Sequence, residues 1–251
     1  MMSIRRFHTG CFAFALAMAS VPAAAQSAFD VVGIRPGMTE AEAMAALKAH
    51  RPGMQVQKRN MRYDFRDGVQ THYTAEFLHE VWVRYDDAQG REDFRLYFSP
   101  LPSASRVVGL MRTVALKAPP TREQLIAQLN QKYGAPTVTS KDNMAWGEAG
   151  KPMCWRTNPK ATSIGDGSGD ILSSLLDRNG KPRGAWVPKD LSQCGVAVYA
   201  QMSGEPVFSL MMKMADYGLW ATTQEKANAW VQQQQENAVK ERLSKGAAPK
   251  L

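Results

Sequence analysis

The chain has 251 residues, 44% hydrophobic and 22% charged, the balance of a folded protein rather than of a disordered polymer. Its net charge of +8 comes from 31 Lys and Arg against 23 Asp and Glu, scattered without a basic run or an RNA-binding aromatic motif, so no nucleic acid partner is expected. No segment approaches ~18 uninterrupted apolar residues, so no transmembrane segment is expected either.

Residues 1–25 read as an export leader. Arg5 and Arg6 precede an apolar run of 11 residues (CFAFALAMASV), and Ala23, Ala24 and Ala25 are the small residues before cleavage at Gln26. Losing the two arginines lowers the charge from +8 to +6. The mature protein is expected to be periplasmic or secreted. Cys11 begins the apolar run instead of following it, so no lipid anchor is expected. Cleavage leaves Cys154 and Cys194, an even pair that reads as a disulfide in an oxidising compartment.

A first α+β unit is expected over 26–118. Thr39, with Glu42 three residues on, has the capping-box spacing of a helix start, and Ala43, Met44 and Leu47 give that helix an apolar stripe. The helix should stop at Arg51, Pro52 and Gly53, with His50 set against its terminal carbonyls. From 72 to 85, Tyr73, Ala75, Phe77, Val81, Val83 and Tyr85 alternate with polar residues, the pattern of one long bent strand or two short ones. Trp82 falls on the polar side with Glu80 and Arg84, which makes it a candidate contact residue. Strands carrying Phe94, Leu96 and Phe98, and spanning 106–116, complete a meander.

A second unit is expected over 119–216. Thr121 and Gln124 repeat the capping spacing 82 positions later, and Leu125, Ile126 and Leu129 repeat the stripe, up to a stop at Tyr133, Gly134, Ala135 and Pro136. Strands are expected at 137–146, 153–157, 196–202 and 207–214, the last with Phe208, Leu210, Met212 and Met214 on one face. The run Ile164-Gly-Asp-Gly-Ser-Gly-Asp170, with Asn179, Gly180 and Pro182, reads as an insertion inside the Cys154 to Cys194 loop. Region 217–251 is expected to hold a polar C-terminal helix, opening at Thr222 with Glu225 and running to about 243, with Glu236 paired to Lys240, Glu241 to Lys245 and a thin apolar seam of Ala227, Trp230, Val231 and Ala238, and then a fraying tail.

Two helices entered alike, each followed by about four antiparallel strands, resemble the tandem repeats of the secreted β-lactamase-inhibitor-protein-like fold. The entry Gly33-Ile34-Arg35-Pro36-Gly37-Met38-Thr39 is also similar to that of the SmpA/OmlA small lipoproteins. The resemblance spans 29–216, and its specific part is this entry and Lys132-Tyr133-Gly134-Ala135-Pro136. It implies an α+β fold of two tandem repeats with a C-terminal helix. The chain departs from these families in having no lipobox cysteine and one cysteine pair in place of a bridge per repeat, so inhibitor activity does not carry over.

No catalytic or cofactor motif is complete. His79-Glu80 begins like a zinc-protease helix, but residue 83 is Val and the segment alternates as a strand, so His79 reads as a hydrogen-bonded core or rim histidine. Asp166, Ser168 and Asp170 have the first spacings of a calcium loop, without its glycine and its glutamate, which leaves at most a weak calcium site. Catalytic, cofactor-binding and metal residues are therefore none, and no cofactor is expected. The expected function is a non-catalytic binding module of the cell envelope, its exposed sheet faces meeting an envelope protein or an anionic envelope component. The alternative is an envelope hydrolase or glycan-acting enzyme using a pair among Glu76, Glu80, Asp86 and Asp87, acids that otherwise read as solvated.

Overall fold

The computed structural model describes residues 29–88, 90–154 and 191–245. Both helix starts form where their spacing places them. Thr39 caps α1 (Glu40–His50): its hydroxyl accepts from the Glu42 amide at 3.2 Å and the Glu42 carboxylate accepts from the Thr39 amide at 2.7 Å. Thr121 and Gln124 do the same for α2 (Arg122–Tyr133), at 3.3 and 3.0 Å. Each box occupies amides that a helix start leaves without a partner. Ala43 and Leu47, and Leu125 and Leu129, stand four and eight residues beyond their caps and are buried, with Met44 and Ile126 packed beside them. Gly134 ends α2 at a φ of 78°, where a side chain would strain the backbone.

After α1 come β1 (Gln55–Met61), a small hairpin of β2 (Asp64–Arg66) and β3 (Thr71–Tyr73), then β4 (Phe77–Asp87), β5 (Gly90–Phe98) and β6 (Val107–Ala115). After α2 come β7 (Val138–Thr139), β8 (Asn143–Gly147), a short 3-10 turn at Leu191–Gln193, β9 (Val196–Ser203), β10 (Ser209–Asp216) and the C-terminal helix α3 (Tyr217–Ser244). The fold is α+β. All strands but β2 and β3 join one antiparallel sheet, in the order β1-β4-β5-β6-β10-β9-β8-β7. At its middle β6 pairs with β10, from Ala115 opposite Ser209 to Gly109 opposite Ala215.

Alternation along each strand divides the side chains between two faces. Val81, Val83 and Tyr85 of β4, Phe94 and Leu96 of β5, Leu110 of β6, and Leu210, Met212 and Met214 of β10 form one core with Leu47 and Leu129 of the two helices. On the opposite face a smaller core joins Tyr97, Ala145, Ala197, Tyr199 and Ala215 to Cys154, Cys194, Tyr217 and Trp220. Cys154 and Cys194 are bridged, with Cα atoms 5.7 Å apart. The second half of the sheet is thus packed on both faces, while much of the first half is packed only under α1.

Helix α3 leaves β10 without a loop. The Asp216 carboxylate accepts from the Leu219 amide at 2.8 Å, and a Cβ on Gly218 would come within 2.7 Å of the Cys194 carbonyl oxygen, so the first turn can lie against the Cys194 segment because residue 218 has no side chain. The expected start at Thr222 therefore moves back to Tyr217, and the Thr222 hydroxyl donates to the Gly218 carbonyl at 2.8 Å instead of capping. The anchor is also different from the expected seam of Ala227, Trp230, Val231 and Ala238: the buried residues are Tyr217, Gly218, Trp220, Ala221, Thr223 and Ala227, none beyond Ala227. Glu241 pairs with Lys245 as expected, whereas Glu236 accepts from Gln232 at 3.0 Å in place of the expected pairing with Lys240.

The 72–85 segment takes the divided one of its two expected forms: Tyr73 belongs to the hairpin with β2 and is exposed, and β4 begins only at Phe77. Other strand expectations change. Segment 137–146 divides into β7 and β8. Phe208 precedes β10 and is exposed, so it does not share the face of Leu210, Met212 and Met214. Met153 and Cys154 lie outside any strand. The leader 1–25, residues 155–157 of the expected strand, the 164–170 stretch with Asp166, Ser168 and Asp170, Asn179, Gly180, Pro182 and the tail 246–251 lie outside the described residues.

Candidate interaction face

The face of β4 that turns away from α1 carries Glu80, Trp82 and Arg84. Register sets their neighbours: Trp82 stands opposite Gln57 of β1 and Arg95 of β5, and Arg95 stands opposite Met111 of β6. One step along the strands, Gln55, Arg84, Asp93 and Thr113 make a parallel row. Directly opposed side chains on one face lie within contact reach, so the two rows form a continuous surface. With Arg91 they line an open depression of about 440 Å³.

Trp82 is where its alternation places it, 39% exposed, in the second strand of the sheet. The Arg95 guanidinium lies over its ring, 4.3 Å from the centroid, an arrangement worth about 0.5 to 1 kcal/mol at an exposed site. Nothing in the sequence alone pairs these two residues, because the contact depends on the β4–β5 register. Asp93 accepts from Arg84 Nε at 2.6 Å and from Arg91 Nε at 2.7 Å. Burial pushes the Asp93 carboxyl upward, but the two guanidiniums outweigh it and hold the group below its ordinary range. Two guanidiniums therefore share one carboxylate, and Arg95 has no carboxylate partner among the described residues.

Of the acids considered for an enzymatic pair, Glu76, immediately before β4, and Asp86, near its far end, stand ten residues and roughly 30 Å apart, far beyond the separation of a hydrolytic carboxylate pair. Asp87 accepts from Arg51 Nε at 2.9 Å. Glu80 is the clear departure from the expected solvated acid: its side chain is 1% exposed, its oxygens accept no hydrogen bond among the described residues, and Arg59 Nη1 is 3.9 Å away. His79, which the β1–β4 register skips at a bulge, is half-buried. Burial first, and then the Arg59 charge, pushes its pKa down. It makes no hydrogen bond to a described residue, which removes the hydrogen-bonded role expected of it.

A second polar cluster lies on the helix-covered face and was not expected. Glu92 of β5, its side chain 4% exposed, accepts from Arg112 Nε of β6 at 2.5 Å, pairs with His50 Nε2 at 3.1 Å and lies 3.5 Å from Arg51 Nη1. His50 thus serves this carboxylate and not the helix carbonyls. Burial raises the Glu92 pKa, and Arg112 and His50 together bring it below the ordinary value. Arg51 also donates to the Gly90 carbonyl at 2.8 Å, so the cluster ties the end of α1 to the β4–β5 turn. Each charge in it has a partner.

Among the described residues no three His, Cys, Asp or Glu side chains form a metal-binding group, and no helix is long and apolar enough to cross a membrane. Compared with family models, curated proteins and solved structures, the chain matches none of them.

Proposed function

We propose that this chain is an exported, non-catalytic binding module of the cell envelope that holds a protein partner on the uncovered face of β1, β4, β5 and β6. The observation that carries the reading is Trp82, a large aromatic kept exposed on a sheet face under a stacked arginine, where a core residue would be covered. Its environment has the anatomy of an interface: an aromatic centre, Met111 beside it, and a rim of Gln55, Gln57, Thr113 and arginines.

We further read the chain as two tandem units, each a capped helix followed by four meandering strands, in the manner of the inhibitor-protein-like repeats. In support, the sheet order mirrors itself about the β6–β10 pair, and the two capping boxes are 82 positions apart. The disulfide agrees with an oxidising compartment.

A photo-crosslinking residue at Gln57 or Met111, introduced in cells that export the protein, tests the interface. The expected result is a discrete adduct from these positions, absent at the exposed Lys48 of α1 and lost in Trp82→Ala. Equal adducts at Lys48, or an adduct unchanged by Trp82→Ala, would overturn the assignment of the face.

A further inference from the structure

We infer that the occupant of this face is an acidic segment of a protein, which presents a carboxylate to Arg95; the inference rests on the reading of the face as an interface. Arg84 and Arg91 already divide the charge of Asp93 between them, so the depression carries an unbalanced positive charge. Arg95 is the cation without a carboxylate among the described residues. Its Cζ lies over the Trp82 ring, 4.3 Å from the centroid, and its N–H groups donate to no described residue, so they are available to receive a carboxylate in two parallel hydrogen bonds. Trp82 stands opposite Arg95 on one side and Met111 on the other, and a charge-assisted bond between such apolar neighbours is stronger than on a flat polar surface.

Shape favours a protein segment over an anionic membrane. The charge lies in a recess of the sheet, and the most exposed apolar residues, Val69, Tyr73, Phe208 and Leu243, sit on other elements, so Trp82 is the one exposed large apolar side chain beside the arginines among the described residues, too little for insertion into a bilayer. Gln55, Gln57 and Thr113 offer neutral donors and acceptors of the kind that peptide amides use.

A random 12-residue peptide library selected on the immobilised mature protein tests this. Selected peptides are expected to carry Asp or Glu beside an apolar or aromatic residue. A synthetic copy should lose about tenfold or more in affinity when Arg95 is changed to Gln, and equally when its own acid is replaced by the amide, and it should weaken with added salt. Both Arg95→Gln and Trp82→Ala alter surface side chains, and unchanged melting temperatures verify that the variants fold. Acid-free peptides that still require Trp82 would overturn the acidic partner and keep the interface. Peptides indifferent to both variants would overturn the interface itself. Recovery of no peptide, or Arg95-dependent binding of phosphatidylglycerol vesicles or heparin in place of peptide, would overturn the inference.

Discussion

Replacing Glu92 by Gln removes the anion at the centre of the helix-covered cluster while keeping its shape. Arg112 loses a charge-assisted bond of 2.5 Å and His50 its 3.1 Å partner, in a place where the carboxylate side chain is only 4% exposed. Breaking a buried pair from one side costs about 3 to 5 kcal/mol. Gln retains one oxygen for Arg112, and Arg51 keeps Asp87 and the Gly90 carbonyl, so the expected loss is about 2 to 3 kcal/mol, or roughly 4 to 12 °C in Tm for a chain of this size. Because the folded-state pKa of Glu92 lies below its ordinary 4.5, its contribution is complete above that pH and disappears as pH falls through the lower, folded value. Urea denaturation followed by tryptophan fluorescence at neutral and at acidic pH measures both effects. The gap between wild type and Glu92→Gln should be full at neutral pH and shrink in acid. A loss below about 1 kcal/mol, or an equal gap at both pH values, would refute the role given to this carboxylate.

Thr39→Ala and Thr121→Ala should each cost about 0.5 to 2 kcal/mol in the same assay, and the double variant should show the sum, since the two caps share no partner. Leu47→Ala and Leu129→Ala, each truncating a side chain buried between helix and sheet, should cost about 2 to 5 kcal/mol. Reduction of the Cys154–Cys194 bridge, which closes a separation of 40 residues, should remove up to about 4 kcal/mol, checked by denaturation with and without reductant. Trp82→Ala should leave stability within about 1 kcal/mol, consistent with a stacked surface residue, and a larger loss would place Trp82 in the core.

The legible parts of this fold are those written in a few neighbouring residues. Thr39 with Glu42 and Thr121 with Gln124 announce their helices because capping is local, and the alternation of Val81, Val83 and Tyr85 places Trp82 on the other side of β4. Strand β1 gave no such signal. Six of its seven residues are exposed, since it forms one edge of the sheet with neither face well covered, and a strand without a buried face has no alternation to read. The start of α3 escaped because its cap, Asp216, is the last residue of a strand. The Glu92 cluster did leave a trace: Glu92 shares parity with Phe94 and Leu96, which sets a carboxylate on an apolar face, and Arg112 stands directly opposite Phe94. Recognising it required knowing that two strands 20 residues apart lie side by side. The stacking of Arg95 on Trp82 is hidden for the same reason, and the burial of Glu80 depends on what covers its end of the sheet.

The β6–β10 pairing also governs how the protein comes together. Its partners, Ala115 with Ser209 and Gly109 with Ala215, are separated by about a hundred residues of chain, so the sheet is continuous only once the last strand has arrived. Contacts of such sequence separation repay their closure entropy late and make folding slow. Because main-chain hydrogen bonds cross this line, no hinge divides the two halves. Ordering of the C-terminal strand is thereby tied to that of the Trp82 surface, and a nascent chain that ends before β10 leaves β6 as an open edge.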